Sequence, residues 1–456
     1  MGSDISWSAE ELSSIDLGDA RLNQRCQRVL ELLGAHPAES IPGACGGWAE
    51  TMGAYRLFAH EQVTLERVLD PHLESTCRRM ADEPVVLCVG DTTQLDFTPM
   101  PETDGLGPLA RDYQHGLMLH PILAVTPGRL SLGVIDACLW ARDPKAFGVR
   151  RSNRPKGAET RESYRWIYGY HQVCAVAKRV PSTRLVYVTD REGDITDLLA
   201  EAQSGPVDVL IRASHDRKLE DDDKLWEHLE SQRPLGTTTF ELAAAPGRPA
   251  RSVTQHVRVA TVVLNPAHPD HATLPEISVT VVFAREENPP SGQQPVEWML
   301  LTTRTVTTLA QARVIIGWYR CRWEIEVFFR TLKTGCRVER LQLTHADRLK
   351  PAIALYLIIT WRLLHLTKLA RTCPDVPATV VFDDQEWRLA YYAVKRQPPP
   401  KRTPSLREIT RLVAQLGGFL ARKSDGEPGP QTLWGGLRRL KDMMIAANAL
   451  REMGDV

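Results

Sequence analysis

Apolar positions along this chain follow two rhythms. Over the first 65 residues they recur every three to four positions, in SAEELSSI, in ARLNQRCQRVLELLGA up to Gly34, and in WAETMGAYRLFAH. That spacing predicts helices that each bury one stripe. A further helix is expected from about 66 to Met80. The rhythm then changes to short continuous runs: VVLCV (85–89) before Gly90 and Asp91, RLVYVT (184–189) before Asp190, and VDVLI before Arg212. β-branched runs bounded by polar residues predict buried strands. LMLHPILAV and RLSLGVIDACLWA, joined by TPGR, predict a hairpin, and residues 158–179 predict a helix.

Between 236 and 304 the runs TTTFELA, SVTQHVRVATVVL, EISVTVVFA and EWMLLTT alternate with Pro-rich loops. They predict a β-rich insertion ahead of a helix near 320. PAIALYLIIT (351–360) reads as a buried helix too short to cross a bilayer, and no apolar run approaches 18 residues. The tail is Pro-bounded: QPPPKRTPS (397–405) is expected to be a linker or exposed loop, followed by amphipathic helices in SLREITRLVAQLGGFLARK and LWGGLRRLKDMMIAANAL. The expected organisation is a helical domain at 1–65, an α/β domain at 66–370 carrying the insertion at about 236–304, and a helical domain at 371–456.

The segment IIGWYRCRWEIEVFFRTLKTG carries the most chemistry. Read as one helix, Tyr319, Arg322, Glu326, Arg330 and Lys333 share an arc of roughly 80°. Trp318, Ile325, Phe328, Phe329 and Leu332 form the adjoining apolar stripe. Glu324 points about 160° away from Glu326, so only Glu326 shares the face with Arg322 and Lys333. A solvated face also pairs charges at i,i+4, as Glu326 and Arg330 do. The helix by itself therefore leaves a functional and a purely solvated face both open.

Partners for Glu326 come from the strand ends. An Asp at the carboxyl end of a central strand sits where open α/β sheets place ligand chemistry, although such residues also form turns and caps. Asp194 reads as the N-cap of DITDLLAEA, which leaves Asp190 free to coordinate; Asp96 and Glu192 are weaker candidates. Asp91, Asp190 and Glu326 make a trio of oxygen ligands suited to Mg²⁺, with Mn²⁺ able to substitute. Two such ions about 3.5–4 Å apart can drive phosphodiester cleavage, with the neighbouring cations holding the strand.

Net charge is zero, yet it is unevenly spread. Residues 301–370 hold twelve Lys or Arg against four acids, 12 − 4 = +8, whereas residues 1–65 hold four against nine, 4 − 9 = −5. A local basic patch can bind a polyanion in spite of the balanced total. The nine Cys form no CxxC pair and the start lacks a basic-then-apolar signal pattern, so a cytoplasmic protein without a disulfide scaffold or membrane span is expected.

The spacing Tyr319-x2-Arg322-x3-Glu326-x6-Lys333 resembles the YREK signature of DDE transposases of bacterial insertion sequences. LGDARLNQR, GAYRLF, DTTQLDF, ESYRW (162–166), TDREGDI, EENPP with EWMLLTT, and LGGFLARK extend the likeness almost end to end. The resemblance implies a ribonuclease H-like catalytic core with Asp91, Asp190 and Glu326 as ligands of two metal ions. It implies that Tyr319, Arg322 and Lys333 grip DNA phosphates and help form a hairpin at the transposon end. Trp298 would stabilise a base flipped out during that step, and Arg212 would contact phosphate near the site. Arg21 and Arg25 match DNA-contacting positions in a domain whose net negative charge departs from expectation, and the C-terminal region would pair two protomers. The partners implied are double-stranded DNA, as terminal repeats and as target, and a second copy of the chain. Two other readings stay open: a nuclease of the same fold that cuts without joining, and a non-catalytic DNA-binding relative.

Overall fold

The structure, a computed structural model, describes residues 6–111, 113–145, 162–221, 223–242, 249–265, 274 and 276–454. Four helices open it: α1 (Trp7–Glu11), α2 (Ala20–Ala35), α3 (Ile41–Cys45) and α4 (Trp48–Phe58). Asp19 caps α2 by accepting the Arg21 N–H at 2.6 Å. The five-residue α3 is too short to leave a periodic trace, and a left-handed Gly46 ends it. Next comes α5 (Leu65–Ala81), capped by Thr64.

The strands are β1 (Val85–Gly90), β2 (Thr93–Asp96), β3 (Gly107–Pro108), β4 (His115–Val125) and β5 (Ser131–Trp140). After α6 (Tyr164–Ala177) follow β6 (Arg184–Thr189), α7 (Thr196–Glu201), β7 (Asp208–Arg212) and α8 (Leu225–Ser231). Then come β8 (Gly236–Leu242), β9 (Arg251–Leu264), β10 (Ile277–Glu286) and β11 (Glu297–Thr302). Among the described residues all eleven strands join one sheet, in the order β2-β4-β1-β6-β7-β11-β10-β9-β8, with β3 and β5 pairing onto β4. β1, β6 and β7 run parallel, β4 pairs antiparallel with β1, and β5 returns antiparallel to β4 as the expected hairpin. The β-rich segment is not a separate layer. β11 pairs antiparallel with β7, Leu300 opposite Arg212, and so continues the central sheet.

Period-two alternation divides the sheet between two cores. Leu87 and Val89 of β1 and Val186 and Val188 of β6 face one side. Val86, Cys88, Leu185 and Tyr187 face the other, against α6 and α7. The first side is covered by α9 (Leu309–Cys321), α10 (Trp323–Arg330) and α11 (Ala346–Thr372). α11 is far longer than the ten apolar residues that predicted it. By length and composition it could cross a membrane, but 78% of its apolar window is buried in the protein, where it packs on α5, β5 and α2. A helix that serves as the centre of a fold is apolar on all sides for the same reason as one in lipid.

α12 (Asp384–Lys395), α13 (Leu406–Leu416) and α14 (Pro430–Glu452) close the chain around a small core of their own. α13 ends at Leu416, short of the rest of the expected LGGFLARK, where the chain crosses α14 at backbone contact. A Cβ on Gly417 would lie 1.9 Å from the Thr432 carbonyl oxygen, and one on Gly436 would lie 1.8 Å from that of Val413.

Candidate active site

The ladder between β1 and β6 pairs Leu87 with Val186 and Val89 with Val188. Extended by two residues, it brings Asp91 beside Asp190 at the carboxyl ends of adjacent parallel strands, both directed to the face covered by α10. Glu326 descends onto them from α10. Arg322 donates to Asp91 Oδ2 at 2.8 Å and to Glu326 Oε1 at 2.6 Å. The Asp91 side chain is only 17% exposed. Burial, together with the neighbouring Asp190, pushes its carboxyl up to about 6 against the opposing pull of Arg322. Carboxylates that crowd one another this way form a site short of positive charge.

The donor chemistry fits hard divalent ions, since all three ligating groups are carboxylates. Their oxygens do not all lie within 4.8 Å of one another, and the Arg322 guanidinium lies between Asp91 and Glu326. Among the described residues the one group gathered that closely is Asp221, Asp223 and His228, on the surface.

Asp190, expected at the strand's end, also makes a local bond there. It caps the turn Arg191–Gly193 and accepts the Glu192 N–H at 2.8 Å. Asp194 is not the α7 cap, a place taken by Ile195. It is buried and neutralised by Arg217 at 2.6 Å and by the N–H groups of Ser214 and His215. A buried carboxylate recruits the strongest donors within reach, and Arg217 outcompetes a helix end.

The single helix expected over 315–335 is broken twice. Hydrogen bonding tightens around Arg322, whose N–H reaches the Tyr319 carbonyl at 3.0 Å while Ile325 N–H reaches that of Arg322 at 3.1 Å. Beyond Arg330 a wider, π-type turn spans Thr331–Gly335. A wheel drawn at 100° per residue therefore overstates the shared face. Arg322 and Glu326 meet the strand aspartates. Lys333 instead lies 3.8 Å from Glu339, facing Asp96, and burial lowers its pKa. Arg330 is exposed. Asp96 belongs to this second cluster, its carboxylate bonded by Thr98 N–H and Gln114.

Tyr319 is 6% exposed, and burial raises its pKa while Arg322 and Arg212 oppose the rise. Arg212 also donates to the Glu297 carbonyl at 2.9 Å. Half-buried Trp298 lies across from them on β11, with its ring 6.0 Å from that of Tyr319 and stacked 5.3 Å from Phe240. Arg320 covers Phe240 at 4.5 Å. The structure thus joins Tyr319, Arg212 and Trp298 in one patch beside the carboxylates. Arg21 and Arg25 stand exposed on α2, lining a groove with Asp19, His60 and Gln62. Sequence reasoning passed over Trp323, 54% exposed next to Arg322, because it counted toward neither the charged face nor the apolar stripe. It also gave no role to Thr92 or Arg165, whose bonds run across the sheet.

Three family models match successive parts of the chain. A family model described as the transposase DDE domain matches residues 129–362, more than half of the chain, and includes Asp190 and Glu326, while Asp91 precedes it. A transposase DNA-binding model matches residues 4–63, and a Tn5 transposase dimerisation-domain model matches residues 358–455. A solved structure, the cryo-EM piggyBac transposase synaptic complex with hairpin DNA, aligns over 97% of this chain and 81% of its own at 10% identity and a TM-score of 0.35. With a DNA-binding model, a DDE domain over more than half its length and a Tn5 dimerisation model along one polypeptide, the chain belongs to the Tn5-like DDE transposases, enzymes that cleave and transfer DNA with divalent cations.

Proposed function

We propose that this transposase works by cut and paste, in a ribonuclease H-like core formed by β5-β4-β1-β6-β7, with Asp91, Asp190 and Glu326 as ligands of two divalent ions. Mg²⁺ is the expected ion and Mn²⁺ a substitute. The observation that carries the reading is the charge imbalance at the strand ends. Three carboxylates face one guanidinium, and Asp91 is pushed up to about 6. Asp91, Asp190 and Glu326 would hold the ions, and bound ions would supply the positive charge these carboxylates lack.

Ions bound there would activate the attacking oxygen and stabilise the leaving one. Arg322, which bridges Asp91 and Glu326, would hold a DNA phosphate beside the ions those carboxylates would bind, and Lys333, beside Glu339, would hold the strand further along. Tyr319, held by Arg212, would fix a phosphate oxygen beside it. Trp298, backed by Phe240, and the exposed Trp323 offer aromatic faces to unstacked bases. The order of steps is the one the family resemblance implies, with one site acting repeatedly. Water nicks the transposon end, the freed 3′-hydroxyl attacks the opposite strand to give a hairpin, water opens the hairpin, and the 3′-hydroxyl joins target DNA. Arg21 and Arg25 would hold the terminal repeat, and residues 371–456 would pair two protomers.

The test uses DNA flanking the gene for this chain, resolved on denaturing gels. Wild type should give nicked, hairpin and joined products in Mg²⁺ and none in Ca²⁺. Asp91→Asn, Asp190→Asn and Glu326→Gln should each lose cleavage by roughly 10³-fold or more while binding the same DNA. Hydrolysis without hairpins or joining would reassign the chain as a nuclease. Metal-dependent cleavage retained by all three variants would remove the site assignment.

A further inference from the structure

The ESYRW segment has no part in the chemistry above, yet its arginine joins the two strand ends that supply the aspartates. Arg165 lies in the first turn of α6, on the opposite side of the sheet from α10, and its side chain is 12% exposed. Its Nε–H donates to Thr92 Oγ1 at 2.8 Å, one terminal N–H donates to the Glu162 carbonyl at 2.6 Å, and the other pairs with the Glu192 carboxylate. The guanidinium carbon sits 5.4 Å from the Trp166 ring and 6.0 Å from the Trp140 ring. Glu162, which precedes it, is bound by two bonds from Arg142 at 2.5 and 3.0 Å, and these fix the start of the helix.

Two of the three residues that Arg165 grips, Thr92 and Glu192, each hold one of the strand-end aspartates in turn. Thr92 follows Asp91, and its backbone N–H donates to Asp91 Oδ1 at 2.7 Å. Glu192 follows Asp190 by two, and its backbone N–H donates to Asp190 Oδ1 at 2.8 Å. Thr92 Oγ1 also contacts His120 Nδ1 on β4 at 3.0 Å, which leaves it no freedom to turn away. The β1–β6 ladder has its last pair at Val89 and Val188, so both aspartates lie past the final rung. Strand twist would let the two ends diverge there. One planar fork spans the gap from the far side of the sheet, a geometry a point charge could not reproduce.

We infer that Arg165 is a positioning residue that sets the separation of Asp91 and Asp190 and thereby tunes the affinity of the site for divalent ions. The inference rests on the reading of those aspartates as metal ligands. A role as a DNA contact does not suit Arg165, because its donors are committed on three sides and it is nearly buried.

The experiment measures Mn²⁺ binding to the full, DNA-free chain by titration calorimetry, with electron paramagnetic resonance of free Mn²⁺ as a second readout. Arg165→Ala and Thr92→Val are expected to weaken binding about 10- to 100-fold, as loss of a ligand-orienting partner does. Arg165→Lys should fall between, and Thr92→Ser, which keeps the hydroxyl, should match wild type. Gel-shift of the flanking DNA in EDTA should be unchanged in all four. Thermal melts report folding, and if Arg165→Ala does not fold, the near-isosteric Thr92→Val carries the test. Wild-type Mn²⁺ affinity in Arg165→Ala and Thr92→Val would overturn the inference, as would lost DNA binding with metal affinity intact. Asp91→Asn and Glu326→Gln run alongside. If these bind Mn²⁺ normally the ligand assignment itself fails, whereas if they lose it and the Arg165 and Thr92 variants do not, only the positioning role fails.

Discussion

Glu324 and Glu326 stand two residues apart on α10 and meet opposite electrostatic surroundings. Glu324 is 5% exposed and receives two cations, Arg129 at 3.3 Å and Lys368 at 3.0 Å. Glu326 shares its one cation, Arg322, with Asp91, while Asp190 adds a third negative charge nearby. The first carboxylate is neutralised and locks α10 onto α11 and the β4–β5 turn. The second belongs to a group that lacks cations of its own. Glu11 repeats the first pattern. Burial alone would raise its pKa, but bonds from His72 and Arg79 bring it down to about 2. His72 accepts the Val134 N–H at Nε2, so the ring is neutral and donates to Glu11 through Nδ1. Glu324 and Glu11, buried with their cations in place, hold elements of this fold together, whereas Asp91 and Glu326 share a single guanidinium at the strand ends.

The contrast can be broken most sharply by exchanging charges for neutral isosteres. Glu326→Gln should remove cleavage by roughly 10³-fold with little change in melting temperature, which paired cleavage assays and thermal melts will show. Glu324→Ala should do the reverse. It strands Arg129 and Lys368 and should lower stability by about 3 kcal/mol in chemical denaturation, while soluble protein keeps its metal-dependent products. A large loss of stability in Glu326→Gln, or none in Glu324→Ala, would erase the distinction.

Asp91→Asn sharpens it next. Because the folded-state pKa of Asp91 is raised from 3.8 to about 6, the fold prefers the neutral acid. That contribution is complete below about pH 4 and is lost as pH rises through 6. Asn keeps the group neutral, so the metal-free variant should be more stable than wild type by about 2 kcal/mol at pH 7.5. The gain should vanish at pH 4, as urea titrations at the two pH values would reveal. The same protonation competes with metal, so Mn²⁺ affinity of wild type should fall below about pH 6. Smallest in size is the effect of Arg322→Ala on the DNA-free protein. Freeing Asp91 and Glu326 from their guanidinium should strengthen Mn²⁺ binding by about tenfold, even as cleavage drops for want of a phosphate contact. Unchanged or weaker Mn²⁺ binding would mean that Arg322 does not stand in for the ions.

Local pattern made the strand carrying Asp91 and the strand carrying Asp190 legible, since continuous β-branched runs survive any tertiary context. The helical wheel also separated Glu326 from Glu324 correctly, because four residues of helix are enough to decide a face. It failed over longer reach. The tightened turn at Arg322 and the wide turn after Arg330 shift the phase, and Lys333 is carried to Glu339 and Asp96. Asp194 was read as a cap because a cap is a local motif, while its true partner, Arg217, lies 23 residues on. The patch of Trp298, Phe240, Tyr319 and Arg212 was assembled from four separate elements, and no spacing in the chain announces it.

By itself, the sequence determined the longer strands and helices, though not α3, α8, α12 or β2, together with which acids end strands and which face of α10 carries Glu326. These depend on periods of 2 and 3.6 residues that any stretch of chain expresses alone. Only the tertiary structure decided how many cations each acid meets. The number is a sum over side chains brought together from positions 91, 129, 165, 322 and 368, and charge interactions of that kind depend on distance through space and burial, neither of which is written along the chain.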